Sequence, residues 1–172
     1  PDYAFPMNPG TEFNVELIKR YDGVGPRYTS YPTAPQFNPQ FDGKAFIDAI
    51  KDSNQDPIPR ALSLYAHVPF CFSPCFYCGC NRIITRDEAK KQAYLEHLLK
   101  EIELIAPYFD SDREVVQLHL GGGTPNSLNT GQLAQLIRKF SESFHFAPEN
   151  EREFSIEIDP RTVSTGDVAA LR

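Results

Sequence analysis

Three short apolar runs, at 61–68, 115–120 and 153–158, give the first indication of β-structure in the chain. Each has the length of a strand. The first is bounded by prolines, and its mostly apolar composition predicts a strand buried on both faces. Glycines at 121–123 break the second run, so we expect strand two to end at Leu120.

Apolar residues spaced three to four apart follow these runs and predict helices. One helix carries the apolar residues of 95–105, and Thr85 and Glu88 before it match a capping box. A second carries those of 133–144, and Ser164 begins a third after the last strand. Three consecutive strand–helix units predict an α/β fold with a parallel sheet whose crossovers are right-handed.

Residues 1–60 differ from the rest, because they are rich in Pro, Asn and aromatic residues and hold two short helical patterns, at 12–21 and 44–51. We interpret 1–60 as an irregular N-terminal extension laid on a core. Residues 61–172 fit either a small doubly wound sheet or the first part of a (β/α) barrel, since a complete barrel takes about 250 residues. Candidate chemistry at the ends of all three strands favours the truncated barrel.

Composition and charge exclude several classes of protein. With 172 residues, 41% of them apolar, the chain has enough material for one core. A net charge of −6 argues against a general nucleic-acid binder. No apolar run reaches the roughly 18 residues of a membrane span, and 1–6 lack a secretory-signal layout, so we expect a cytoplasmic protein. The chain does not begin with Met and ends in a helical pattern, as an excised piece of a longer protein would.

All four cysteines lie between Cys71 and Cys80, which in a cytoplasmic protein favours a metal site over disulfides. Cys71, Cys75 and Cys78 can turn their sulfurs toward one centre, and thiolates are the usual ligands of iron–sulfur clusters. Three thiolates on a four-iron cubane would leave one iron open for a ligand. The competing interpretations are a zinc site that uses all four cysteines, and redox or merely buried thiols.

Two further features follow strands two and three. The glycines at 121–123 would let a ligand approach the backbone, or would simply make a tight turn. Glu157 would meet an amino group of a ligand, or would be a solvated strand end. We interpret His119 as a packed, hydrogen-bonded residue. Aromatic residues around the cysteines would shield a cluster or stack on a base, although by default they are core: Phe70, Phe72, Phe76 and Tyr77.

These motifs resemble those of a known enzyme superfamily. Cys71-x-x-x-Cys75-x-x-Cys78, with Tyr77, is similar to the radical S-adenosylmethionine (SAM) signature, and Gly-Gly-Thr-Pro at 122–125 to that superfamily's cofactor-contacting motif. Four segments together resemble the N-terminal part of the bacterial oxygen-independent coproporphyrinogen III oxidases: 25–33, 78–80, 118–125 and 155–160. Haem chaperones on the same scaffold are the alternative, but they typically lack the final cysteine and the segment at 28–33.

The resemblance implies the site residues. It implies that a [4Fe–4S] cluster is bound by Cys71, Cys75 and Cys78, with Cys80 close by but not a ligand. A first SAM would contact Tyr65, Gly122 and Glu157. A second SAM would contact Tyr77, Gly123 and Thr124. No catalytic residue is assigned beyond the cluster and the SAM sites.

The resemblance also implies a reaction, the oxidative decarboxylation of two propionates of coproporphyrinogen III to give protoporphyrinogen IX in haem biosynthesis. The implied partners are the porphyrinogen and a reductant protein such as a flavodoxin-like electron donor, with no nucleic acid, no membrane and a monomeric state. We also hypothesise that Arg27 pairs with a substrate carboxylate, although a surface ion pair explains it equally well. Because the resemblance covers only part of the family's length, we expect the 172 residues alone to be inactive.

Overall fold

The computed structural model describes residues 14–23, 36–58 and 60–171. The chain divides into two compact units, Pro1–Gln40 and Phe41–Arg172. In the first unit, helix α1 (Val15–Tyr21) begins at Asn14, whose side chain accepts a hydrogen bond from Leu17 N. The segment 25–33, with Arg27, lies outside the described residues.

The second unit alternates strands and helices. Its elements are α2 (Gly43–Asn54), β1 (Leu62–Val68), β2 (Phe70–Cys71), β3 (Ile83–Ile84), α3 (Glu88–Ile105), β4 (Glu114–Gly122), α4 (Thr130–Ser143), β5 (His145–Phe146), β6 (Glu153–Ile156) and α5 (Thr165–Ala170). The division predicted after residue 60 stays a prediction. Helix α2, which that prediction assigned to the extension, lies in the second unit, where Arg113 Nη1 donates to Asn54 Oδ1 at 2.8 Å.

Strand β4 is the centre of a parallel sheet. It pairs with β1 on one side and with β5 and β6 on the other, and α3 and α4 make the connections between the strands. This arrangement confirms the predicted α/β fold with three strand–helix units. A second, two-stranded parallel sheet, β2 with β3, was not predicted and carries Cys71.

One face of the main sheet forms the core. Alternate residues of β1 and β4 point toward the helices, where they pack with apolar residues of α3 and α4. The buried cluster includes Ala66, Val68, Leu118, Leu120, Leu95, Ile102, Leu133, Leu136 and Phe140. These are the positions that the helical and strand patterns predict.

The opposite face of the sheet is polar, which corrects the prediction that β1 is buried on both faces. Register places Ser63 beside Gln117, and Tyr65 beside His119, which in turn is aligned with Ser155 of β6. Ser63 and Tyr65 are exposed in the described part of the chain. The reason is visible in Leu-Ser-Leu-Tyr-Ala-His-Val, where apolar and polar residues alternate as in a half-buried strand.

Helix α3 has a different capping residue from the one predicted. Asp87, not Thr85, caps α3, and its carboxylate accepts from Ala89 N and Lys90 N. Thr85 Oγ1 instead accepts from Asp87 N at 3.1 Å, so it orders the residue that caps the helix. Helix α5 begins after Ser164 in a capping box, as predicted.

Two strand ends also differ from the predicted bounds. β4 continues through Gly121 and Gly122 instead of ending at Leu120, because residues of β1 remain paired with both glycines. β6 ends at Ile156, two residues early, but Glu157 N still donates to Leu120 O at 2.9 Å. None of the helices among the described residues has the length and apolar character needed to cross a membrane.

Candidate functional site

A cleft of about 690 Å³ opens at the carboxyl ends of the parallel strands. Its walls are the cysteine loop at 71–80, the residues 122–124 at the end of β4, and the segment 157–161 after β6. The cleft brings together ten residues singled out from the sequence: Cys71, Cys75, Phe76, Tyr77, Cys78, Cys80, Gly122, Gly123, Thr124 and Glu157. Tyr65 is not in this lining and lies farther down the polar face of the sheet.

The cysteine loop is closed at its base by the small sheet. Ile83 N donates to Pro69 O at 2.7 Å and Thr85 N to Cys71 O at 3.0 Å, so the first cysteine is fixed in a strand. Cys71 is buried, and its sulfur accepts a hydrogen bond from Thr124 Oγ1 at 3.4 Å. Cys78 is half-buried and Cys75 is exposed at the mouth of the loop.

Within residues 14–23, 36–58 and 60–171, no group of three or more His, Cys, Asp or Glu side chains is arranged to hold a metal ion. The assignment of Cys71, Cys75 and Cys78 as cluster ligands therefore stays a prediction. Cys80 faces the same cleft. Desolvation raises the pKa of its thiol, with further contributions from the neighbouring thiol of Cys78 and from Glu157.

The glycines at the end of β4 allow close approach between segments of the chain itself. Gly122 has φ +118°, and a Cβ there would lie 2.8 Å from the His67 ring. A Cβ on Gly123 would lie 2.9 Å from Cys71 Sγ. Gly123 N donates to Val68 O at 2.9 Å, so these glycines seat the end of β4 against β1 and the cysteine loop.

Glu157 is oriented from two sides. Its Oε2 accepts from Gly122 N at 3.0 Å, and its Oε1 lies 3.5 Å from His119 Nε2. His119 Nδ1 is 2.7 Å from Ser155 Oγ, which fits the packed, hydrogen-bonded interpretation of this histidine. The Glu157 side chain is 54% exposed, so it presents a fixed carboxylate to the cleft.

A chain of contacts links Tyr65 to the cysteine loop. His67 Nε2 lies 2.8 Å from Asn81 O, and His67 Nδ1 lies 3.0 Å from the Tyr65 hydroxyl. Because a carbonyl only accepts, Nε2 donates to Asn81 O, and Nδ1 shares a hydrogen bond with the Tyr65 hydroxyl. The Tyr65 ring stacks on His119 at 5.8 Å, and burial, followed by the charge of Glu157, raises the pKa of Tyr65.

The segment after Glu157 is held in a defined turn. The Arg161 guanidinium binds the Asp159 carboxylate through Nε and Nη2, and this pairing holds the pKa of Asp159 below its ordinary value. Asp159 N donates to Asn126 Oδ1 at 2.9 Å, which ties the turn to the residues after the glycines. Arg161 lines the cleft, and the hydrogen bonds and charge of Asp159 raise the pKa of its guanidinium, with a smaller contribution from Cys75.

Several of these residues were not predicted from the sequence. His67 and Ser155 are on alternate positions of strands, so period-two alternation was the signal that could have found them. Asn81 and Arg161 lie in loops, where no periodicity exists. The default interpretation of Phe76 and Tyr77 as core is wrong, because both side chains are exposed at the rim of the cleft, Tyr77 to 92%.

Known proteins share the fold of this chain. No protein-family model matches the chain. Coproporphyrinogen III oxidase (HemN) from Escherichia coli, solved and described as a radical SAM enzyme, superposes with a TM-score of 0.75 at 42% identity, covering 94% of this chain and 34% of that one. The fold and cysteine loop therefore define a radical SAM scaffold, present here as a partial barrel.

Curated relatives identify the family within the radical SAM class. The chain is 45% identical over 161 residues to oxygen-independent coproporphyrinogen III oxidase of Salmonella typhimurium, covering 94% of this chain and 34% of that protein. It is 43% identical over 148 residues to the protein of the same name from Mannheimia haemolytica, covering 86% of this chain and 97% of that protein. The chain belongs to the oxygen-independent coproporphyrinogen III oxidase family.

Most of these relatives are longer than the chain, and their names bear on the haem chaperone alternative. The chain spans about a third of most of the relatives it matches, such as those of Salmonella typhimurium and Pseudomonas aeruginosa. These relatives are named oxidases, and the haem chaperone alternative is not favoured.

Proposed function

We propose that the protein containing this chain carries out radical SAM oxidative decarboxylation of coproporphyrinogen III, giving protoporphyrinogen IX for haem biosynthesis. The observation that carries the proposal is the cleft at the strand ends, where three candidate thiolates, the glycines of β4 and the Glu157 carboxylate meet in a chain of this family. The whole reaction is a proposal for this chain, because the chain spans about a third of most matched relatives.

The residues present fit the two cofactors that the scaffold implies. The cysteine loop offers thiolates, the ligand type of iron–sulfur clusters, beside the positive Arg161. In the proposed assignment, Cys71, Cys75 and Cys78 hold a [4Fe–4S] cluster, while Tyr65, Gly122 and Glu157 contact a first SAM. Tyr77, Gly123 and Thr124 contact a second SAM. When bound, the cluster and SAM supply one-electron chemistry that abstracts hydrogen from the substrate.

The side chains of the chain itself have positioning roles in this proposal. Glu157, kept in orientation by Gly122 N, offers a carboxylate to the ammonium group of a ligand. The hydrogen bond between the Tyr65 hydroxyl and His67 Nδ1 fixes the orientation of that hydroxyl toward a bound ligand. Phe76 and Tyr77, exposed at the rim, offer apolar surface that would cover a bound ligand and exclude water.

The proposal extends to partners and setting. The porphyrinogen is the substrate, a flavodoxin-like protein is the reductant, and the enzyme works as a cytoplasmic monomer without nucleic acid or membrane. A porphyrinogen carries several propionates, so basic side chains are needed to bind it, and Arg27 is the candidate for one of them.

The cluster assignment is tested by comparing Cys78→Ser with Cys80→Ser in the full-length gene product, reconstituted anaerobically with iron and sulfide. Both variants lose one thiol of the same loop. We expect Cys78→Ser to lose most of its bound iron and its reduced electron paramagnetic resonance (EPR) signal, and Cys80→Ser to retain both. Equal iron content in the two variants, or zinc in place of iron, would overturn the assignment.

The reaction is tested with the same preparation. We expect SAM to shift the EPR signal of the reduced cluster, and coproporphyrinogen III with SAM and reductant to yield protoporphyrinogen IX and CO₂ in anaerobic assays. A cluster that responds to SAM without converting the porphyrinogen would refute the oxidase assignment while leaving the SAM site standing.

A further inference from the structure

Lys91 is a fully buried lysine in the first turn of α3, outside the lining of the cleft. Its side chain is 1% exposed. Lysine is almost never buried to this extent unless its charge is paired. Its ammonium donates to Glu88 Oε1 at 2.7 Å and to Ser127 O at 3.0 Å, and it lies 4.6 Å from the centroid of the Phe72 ring.

These three contacts use the whole bonding capacity of the ammonium group. An ammonium has three N–H donors and no acceptor. Two of the donors reach oxygens, and the third side of the group faces the ring of Phe72, an arrangement that attracts a cation. Lys91 therefore has no donor left for a ligand, and its role must lie in the segments that it joins.

The segments joined by Lys91 are two walls of the candidate site. Phe72 follows Cys71 in the cysteine loop, and Ser127 lies in the turn directly after Gly-Gly-Thr-Pro. Ser127 N donates to Thr124 O at 2.8 Å, and Thr124 Oγ1 donates to Cys71 Sγ at 3.4 Å. A closed ring of contacts thus runs from Cys71 through Phe72, Lys91, Ser127 and Thr124 back to Cys71.

Packing alone does not hold this region. A cavity of about 500 Å³ lies beside Lys91, lined among others by Phe72, Ser127 and Leu133. Among the described residues, the buried Ser127 Oγ has no hydrogen-bond partner. Backbone hydrogen bonds from Gly123 N to Val68 O at 2.9 Å and from Thr124 N to Phe70 O at 2.8 Å join the two segments at their bases. Beyond these bonds the space is incompletely filled, and the ammonium adds directional contacts between Phe72 and Ser127.

A contribution to the stability of the fold does not explain why a charged side chain is buried at position 91. Glu88 is 67% exposed, so its carboxylate is solvated with or without Lys91. Removal of one member of an ion pair is costly where it leaves the other charge buried, and here the other charge is exposed. Methionine at this position would fill the same volume without the cost of removing an ammonium from water.

We propose that Lys91 is a positioning residue that fixes the cysteine loop against the turn after the glycines, and so sets the geometry of the cluster ligand Cys71 relative to Thr124. The inference rests on the proposed function, because it assumes that the cysteine loop holds an iron–sulfur cluster. It assigns Lys91 no contact with cluster, SAM or substrate.

The test compares Lys91→Met with Lys90→Met in the reconstituted full-length gene product. Lys90 is the matched control, because it is the neighbouring lysine on the same turn but its side chain is 68% exposed. We expect Lys91→Met to lose iron to a chelator about tenfold faster than wild type, the effect of losing one charge-assisted hydrogen bond. Its reduced cluster should give shifted or broadened EPR lines, with the thermal unfolding midpoint close to wild type. Lys90→Met should match wild type in all three readouts.

Lys91→Gln separates positioning from folding. Glutamine keeps an N–H donor for Ser127 O but has no charge. We expect it to restore most of the wild-type EPR line shape and to slow iron loss relative to Lys91→Met, while the unfolding midpoint stays close to wild type, which a purely structural role would not produce. If Lys91→Met fails to fold, Lys91→Gln is compared with wild type and Lys90→Met in the same three readouts.

The positioning role of Lys91 and the proposed function would be overturned by different results. Wild-type iron loss and EPR lines in both Lys91 variants would overturn the positioning role of Lys91. Wild-type protein that holds no iron–sulfur cluster would overturn the proposed function, whatever the Lys91 variants do.

Discussion

At the scale of single residues, Gly122 is where backbone conformation and site geometry constrain each other. Its φ of +118° is one that residues with a side chain rarely adopt, and its amide orients Glu157. On the other side, the His67 ring fills the space that a Cβ would need. Position 122 therefore requires glycine for two reasons, the positive φ and the lack of space for a Cβ.

We predict that Gly122→Ala destabilises the fold by about 1–3 kcal/mol, since the strained φ alone has a cost of this order. The methyl group would also push against His67, which is bonded to Tyr65 and to Asn81 O. Urea unfolding of the full-length gene product measures the free energy, and SAM-dependent EPR shifts report on the site.

Gly43→Ala is the control for Gly122→Ala. Gly43 lies at the start of α2, and nothing lies within 4 Å of a Cβ built there. Alanine favours the helix, so this substitution should be neutral or stabilise by up to about 1 kcal/mol. Equal stability of the two variants would show that the conformation of Gly122 is not a constraint.

At the scale of elements, the turn after β6 lines the cleft and contains an ion pair whose contribution to the stability of the fold depends on pH. Because Arg161 lowers the pKa of Asp159, the ionised carboxylate stabilises the folded state at pH above the ordinary aspartate pKa of about 3.9. This stabilisation is lost as the pH falls through the lower, folded value. We predict that Asp159→Asn removes this part of the acid dependence, measured as urea midpoints between about pH 2 and 5.

A double-mutant cycle provides the control for the acid dependence. Arg161→Gln removes the partner that lowers the pKa, so it should flatten the pH dependence as Asp159→Asn does. The double variant should show no further change. An undiminished pH dependence in Asp159→Asn would contradict the role of this pair.

Elements with a periodic sequence pattern were predictable, whereas contacts between residues far apart in the sequence were not. Helical spacing located α3 and α4, and the apolar runs located β1, β4 and β6, because burial of one face imposes a period on the sequence. The cysteine spacing and the Gly-Gly-Thr-Pro motif located most of the cleft. The contact of Lys91 with Ser127 joins residues 36 positions apart, and no local pattern encodes such a pairing.

At the scale of the whole molecule, the sheet described here is one side of a barrel. Its polar face, with Ser63, Tyr65, His119 and Ser155, has no opposite wall within the described residues. In the same part of the chain, β6 pairs only with β4, so its other edge has free backbone donors and acceptors. The polar face and the edge of β6 are therefore open in the described part of the chain, which spans about a third of the length of relatives such as that of Salmonella typhimurium.

This openness leads to a prediction for the 172 residues expressed alone. All the candidate cluster ligands lie within one loop whose base is closed by β2 and β3, so reconstitution should still load iron and sulfide. Oxidase turnover should be absent, because an open sheet cannot exclude water and oxygen from a one-electron reaction. The free edge of β6 should make the fragment associate with increasing concentration, which light scattering detects. The full-length gene product, assayed in parallel with coproporphyrinogen III, is the control. Measurable protoporphyrinogen formation by the 172 residues would show that the part of the barrel described here suffices for the reaction.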